Sequence, residues 1–153
     1  AAAVYFGGGG SEQAGKWAKL APAIAASPHA SRVHVLGGLS DAELAAEFQR
    51  HRVFVAPLFN STGIATKIVN AMGRGLPVVT TGSGTRGLGL DAGASPVCVG
   101  ETADAFAACV VRLLTDDAAW LQASRAGLRH VGRVLSAEGQ QRAILNLVNA
   151  SKT

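Results

Sequence analysis

Short, continuously apolar runs alternate along this chain with longer stretches whose apolar residues recur at helical spacing. Val4-Tyr5-Phe6 is the first such run, ended by glycines, and a helical stretch from about Glu12 to Ala26 follows, closed by Pro28. Val33–Leu36 reads as a second strand that stops at Gly37-Gly38. Ser40-Asp41-Ala42-Glu43 is a capping box, in which hydroxyl and carboxylate each satisfy a free backbone N–H, and it predicts a helix to about Gln49. Val53–Ala56 is a buried strand ended by Pro57. After the loop Leu58–Gly63 a helix is expected from about Ile64 to Arg74, with Gly75 placed to end it in a left-handed conformation. Pro77–Thr81 and Val97–Val99 are the remaining strands, separated by a glycine-rich loop to about Ala94.

Three helices complete the pattern. The first, near Ala103–Leu114, is expected to bury Ala103, Phe106, Ala107, Val110 and Leu114. The second has Thr115 as its expected cap and Asp116-Asp117 in its first turn, where the helix dipole favours negative charge. The third starts after Ser136 and carries Ile144, Leu147 and Val148 within a C-terminal segment spanning 133–153. Continuously apolar strands alternating with helices imply a doubly wound α/β domain: a parallel sheet covered by helices on both faces. Such sheets bind ligands at the carboxyl ends of their strands, commonly where a phosphate meets a helix N-terminus.

Composition narrows this picture. The chain has 153 residues, 48% hydrophobic and 16% charged, enough for one domain with a core and too apolar for disorder. No apolar run approaches the roughly 20 residues that span a bilayer. It begins Ala1-Ala2-Ala3 without Met, which reads as a processed form or a piece of something longer. Cys98 and Cys109 lack metal-ligand spacing and read as reduced core residues, which fits a cytoplasmic or organellar interior. The net charge of +4 is spread along the chain; only Arg125, Arg129 and Arg133 form a stripe, read as a solvated helix face. Aromatics are not interleaved with the basic residues, so nucleic acid is not an expected partner, and membrane association has no support.

Several motifs carry less than they promise. Gly82-Ser83-Gly84-Thr85-Arg86-Gly87 matches a dinucleotide pattern, yet the glycine-rich segment after it is a poor helix former, so no pyrophosphate-facing helix is expected there. Gly10–Trp17 falls one residue short of a phosphate-binding loop, because Trp17 stands where a magnesium-binding hydroxyl is needed. The four histidines show no metal spacing, and no G-x-S-x-G appears, so neither a metal site nor a nucleophile-elbow hydrolase is indicated.

The informative stretch runs from Asn60 to Met72. A small polar loop leads from a buried strand straight into a helix, whose first amides favour a phosphate. Lys67 and Asn70 share one face, one cation for phosphate and one amide for a hydroxyl, while Ile64, Ile68, Ala71 and Met72 face the sheet. The residues themselves leave two readings open: a nucleotide grip, or an ordinary amphipathic helix with two solvated polar residues.

Val53-Phe54-Val55-Ala56-Pro57, the Gly63-Ile64 turn, Lys67–Met72, Gly75–Thr81 and Gly87-Leu88, taken together, resemble group 1 (family 4-like) glycosyltransferases. The resemblance is closest over Val33–Leu90 and looser beyond. It implies the Rossmann-like C-terminal half of a GT-B architecture, with the whole of 1–153 as one donor-binding domain, and a retaining, metal-independent transfer from a nucleoside-diphosphate sugar (such as a UDP- or GDP-sugar). It implies that Lys67 stabilises the departing diphosphate, that the amides of Gly63, Ile64, Ala65 and Thr66 hold its oxygens, that Thr62 belongs to the donor site near the transferring sugar, that Asn70 meets the ribose, and that Leu36 and Gly37 border the base. No cofactor beyond the donor is implied. Asn70 stands where the family usually carries a Glu, and the position of a second acid, in the loop before the helix, falls close to Thr62. Gly7–Gly10 stands where an Arg is common, and the stretch before Val33 is short by about one strand–helix unit. The N-terminal acceptor-binding domain is expected to be a separate, missing partner, without which the chain is expected to be inactive. A non-catalytic scaffold derived from the fold, or a fragment of a nucleotide-sugar epimerase, are the alternatives.

Overall fold

The computed structural model describes residues 4–8, 21–37, 39–60, 63–90 and 95–141, with backbone only for 4–8. The helix expected over 12–20, the Gly10–Trp17 motif, Thr62, residues 91–94 and the C-terminal positions Ile144, Leu147 and Val148 lie outside the described residues. The chain divides into two compact units, Ala1–Glu47 and Phe48–Thr153.

In the first unit, strand β1 (Val4–Gly8) pairs in parallel with β2 (Val33–Gly37), in a register that sets Gly7 beside Leu36 and Gly8 beside Gly37. Residues 21–25 are helical, and a short 3₁₀ turn, Ala30–Arg32, feeds β2. Helix α1 (Asp41–Arg50) opens on the expected capping box. The Ser40 amide donates to Glu43 Oε2 at 2.8 Å, the Ser40 hydroxyl donates to the same oxygen at 2.7 Å, and the Glu43 amide donates to Ser40 Oγ at 3.4 Å. These bonds hold the Glu43 carboxyl below its ordinary value of 4.5, the side-chain bond from Ser40 being the larger cause.

The second unit is built on a three-stranded parallel sheet in the order β3 (Phe54–Ala56), β4 (Val78–Thr80), β5 (Val97–Val99). Side chains alternate across a sheet, so Ala56, Val78 and Val97 face one way, and Val79 and Cys98 the other. Helix α2 (Thr66–Gly73) packs Ile68, Ala71 and Met72 on the first face, in a core shared with Phe48, Leu76, Val78, Leu88 and Val97. Helix α3 (Ala103–Thr115) packs on β4 and β5 and joins the second face through Cys109. This is the parallel α/β arrangement with helices on both faces that the sequence pattern implies.

Gly75 ends α2 as expected, with φ +74°. Its amide reaches the Met72 carbonyl, and the Leu76 amide reaches back to that of Ala71, the two bonds of a Schellman motif. Leu76 is thereby delivered into the core.

Three details differ from the sequence expectation. Cys98 and Cys109 are joined in a disulfide rather than reduced, because the turn from β5 into α3 brings their Cα atoms to 5.9 Å, inside the bridging range. That bond, together with the close approach of Phe106 to Gly100, rotates α3 so that Leu113 is buried and Ala103, Ala107 and Leu114 are exposed. Finally, Asp116 and not Thr115 caps helix α4 (Asp117–His130), accepting the Ala119 amide at 2.9 Å. Thr115 is still helical and spends its hydroxyl on the Val111 carbonyl.

Arg52 ties the start of β3 to this corner. Its Nε donates to the Leu113 carbonyl at 3.0 Å, its guanidinium pairs with Asp117 and lies over Trp120, and Trp120 Nε1 donates to the Arg52 carbonyl at 2.7 Å. Beyond α4 a π-type turn, Val131–Leu135, precedes Ser136, which accepts the Gly139 amide and opens the helical residues 137–141.

Two predictions follow from these contacts. The disulfide closes a loop of sequence separation 11, so reduction is expected to lower stability by about 3 kcal/mol, measured by denaturant unfolding with and without a dithiol reductant. The Glu43 carboxyl, being depressed, stabilises α1 above its ordinary value of 4.5, and that contribution is lost as pH falls through its folded value. Ser40→Ala should move the Glu43 titration up towards 4.5, read by carboxyl NMR.

Candidate functional site

The carboxyl ends of β3 and β4 are stitched together by hydroxyls. Thr80, fully buried, donates its Oγ1–H to the Ala56 carbonyl at 2.7 Å; Thr81 donates to that of Leu58; Ser83 donates to that of Phe59 at 2.9 Å. Carbonyls of a chain leaving a strand have lost their ladder partners, and a buried one left unpaired costs about 1–3 kcal/mol. The three hydroxyls bond in succession to the Ala56, Leu58 and Phe59 carbonyls and so fix the chain as it leaves β3. By sequence, Thr80 and Thr81 read as strand residues and Ser83 as part of the glycine-rich loop. The signal for their role was a run of hydroxyls at the end of a buried strand.

At the far end of that segment, α2 starts at Thr66, two residues later than the apolar periodicity suggests. Its N-cap is Ala65, which has no side-chain acceptor, and its first turn has no acidic residue. The first amides of a helix have no intrahelical partner; here the Ile68 and Val69 amides are the first to bond back, both to the Ala65 carbonyl. The amides of Thr66 and Lys67 thus stand at a helix start of positive partial charge with Lys67 in its first turn. Lys67 and Asn70 are both exposed, on the face opposite buried Ile68, Ala71 and Met72.

Gly63 and Ile64 are exposed at the entrance to this turn. A Cβ added to Gly63 would meet nothing within 4 Å, so packing within the described protein does not require a glycine there. Ile64 does not face the sheet as expected; it lies outside the helix, about half exposed, against Gly87. Gly87 has φ +71° and belongs to the 82–87 motif, whose first residues form a 3₁₀ turn, Gly82–Thr85, rather than the start of a pyrophosphate-binding helix. The Gly82 amide instead donates to Glu101 Oε1 at 2.8 Å.

The structure thus brings together Gly63, Ile64, Ala65, Thr66, Lys67 and Asn70 on one turn and the helix it opens. Thr62 lies outside the described residues, and Leu36 and Gly37 close β2 in the first unit. Among the described residues no group of His, Cys, Asp and Glu could hold a metal ion, and no helix is long and apolar enough to cross a membrane.

A parallel α/β sheet with an amide-rich turn at its carboxyl edge serves many unrelated functions, and sequence comparison decides among them. The profile of the family described as Glycosyl transferases group 1 matches residues 2–116. The chain belongs to that family. No curated protein matches the chain. The match to the glycosyl transferases covers every element from β1 through α3, and α4 lies beyond it.

The two glycines of this turn separate fold from ligand. Gly63→Ala is expected to change stability by no more than a few tenths of a kcal/mol, as substitutions into open surface do. Gly87→Ala must take a left-handed φ and press on Ile64, and is expected to cost more than about 1 kcal/mol. Urea unfolding of the two variants tests the contrast.

Proposed function

We propose that this glycosyltransferase domain binds the nucleoside-diphosphate end of an activated sugar, with the Gly63–Lys67 turn as its diphosphate grip. The observation that carries the proposal is the start of α2: a helix whose inner face is fully buried presents exposed Lys67 and first-turn amides with no partner among the described residues, behind a cap position held by alanine. A protein that needed only a stable helix would gain from Ser, Thr, Asp or Asn at that cap. An external anion can take the place of such a side chain.

Chemically, the grip suits transfer of the sugar. As the bond from the anomeric carbon to the phosphate breaks, negative charge builds on the departing diphosphate. Amides and an ammonium already aimed at those oxygens stabilise that charge without reorganising, so they act more strongly on the transition state than on the bound donor. Lys67 is the residue for this role, with the amides of Ala65, Thr66 and Lys67 as its partners. Gly63, with no packing need for its hydrogen, lets the diphosphate approach the backbone closely, and Thr62 would add a hydroxyl. Asn70, one turn along the same face, is placed for a ribose hydroxyl, as a neutral donor and acceptor. No metal or other cofactor enters this scheme, and an acceptor-binding domain would complete the enzyme.

Asn70 also favours a second reading. An amide where the resemblance implies a carboxylate lacks a charge-assisted bond, so a domain that binds the donor without turning it over is the competing proposal. Release of nucleoside diphosphate from a sugar nucleotide by the chain joined to its acceptor domain would decide for the enzyme.

A nucleoside diphosphate at ~100 times its Kd stabilises a protein by about 2.7 kcal/mol. UDP or GDP is therefore expected to raise Tm by several degrees. Lys67→Ala should abolish the shift while leaving the Tm of the free protein near wild type, since Lys67 is exposed. No shift with either nucleotide would contradict the proposal.

A further inference from the structure

His130 is a buried titratable group that the proposed chemistry does not use. It is the last residue of α4, 7% exposed, with Nε2 2.6 Å from the Leu88 carbonyl oxygen. A carbonyl can only accept, so Nε2 carries the proton and donates. Leu88 is itself fully buried and sits between two residues in the left-handed region, Gly87 at φ +71° and Gly89 at φ +62°. Among the described residues the turn is closed locally by the bond from the Leu88 amide to the Thr85 carbonyl at 3.2 Å. The His130 bond therefore supplies a fixed point to a backbone of glycines that would otherwise have wide conformational freedom.

That turn leads to the proposed site. Gly87 packs so closely on Ile64 that an added Cβ would lie 2.8 Å from Ile64 Cγ1, and Ile64 immediately precedes the N-cap Ala65. The same helix that carries His130 also seats on α2: a Cβ on Gly127 would lie 3.3 Å from the Met72 Cβ. Helix α4 thus holds α2 from beneath through Gly127 and Met72, and reaches the segment entering α2 through His130, Leu88, Gly87 and Ile64.

We propose that His130 is a positioning residue for the diphosphate grip: by holding the Leu88 carbonyl it presses Gly87 against Ile64 and fixes the first turn of α2. The effect on binding rests on the diphosphate reading above; the effect on the turn does not. Replacing His130 by Phe keeps an aromatic ring but leaves a buried carbonyl unpaired, whereas Gln retains an N–H donor. Hydrogen exchange of the Ile68 and Val69 amides, the first bonded amides of α2, reads the turn without ligand.

His130→Phe is expected to speed exchange at Ile68 and Val69 beyond any change in α3, and to weaken UDP or GDP binding about tenfold, equivalent to ~1.4 kcal/mol. His130→Gln should restore both. Ile64→Ala, made at a half-exposed position that folding tolerates, should speed the same two amides, and combining it with His130→Phe should add nothing further. Unchanged exchange at Ile68 and Val69 in both His130→Phe and Ile64→Ala would overturn the proposal. So would unchanged exchange in Ile64→Ala alone if the Phe variant does not fold. Faster exchange in a protein whose wild type binds neither nucleotide would uphold the positioning role and reject the diphosphate reading.

Discussion

The second unit depends on the burial of one helix face. Ile68 and Ala71 have no exposed surface and Met72 almost none, against a sheet face of Ala56, Val78 and Val97. Truncating a buried Ile or Met to Ala costs about 2–5 kcal/mol, a large part of the 5–15 kcal/mol by which domains are stable. A helix fixed this firmly cannot turn about its axis. Lys67 and Asn70 must therefore face solvent, and the amides of the first turn must stand at the carboxyl edge of the sheet. The core sets the direction of the site.

Fixing the helix is not enough to fix the turn that enters it. The chain leaving β3 from Pro57 must pass the sheet edge with its carbonyls satisfied. Thr80, Thr81 and Ser83 do this on the strand side. On the helix side Gly87 packs against Ile64, held in turn through Leu88 by His130. The glycine-rich 82–89 loop thus becomes a buttress. Its glycines are explained by left-handed backbone and close approach at Gly87 and Gly89, with no need of a dinucleotide.

Much of this was legible in the sequence. The parallel α/β class, the capping box at Ser40, the Schellman glycine at Gly75 and the opposition of Lys67 and Asn70 to Ile68, Ala71 and Met72 all come from local periodicity and local backbone chemistry. What escaped depends on tertiary geometry. Pairing of Cys98 with Cys109 requires knowing how sharply β5 turns into α3. The rotation of α3 that buries Leu113 in place of Leu114 follows from that same bond. Ile64 fits a helical spacing but lies two residues before the helix, and His130 gives no sign in its neighbourhood that its partner lies 42 positions away.

What is proposed for this domain turns on the start of α2 being an anion site. Backbone amide NMR of the full chain titrated with UDP or GDP puts that to the test: the largest shifts are expected on Gly63, Thr66 and Lys67, and they are expected to vanish in Lys67→Ala. Largest shifts on the exposed arginine face of α4 at Arg125 and Arg129, or none at saturating nucleotide, would contradict it.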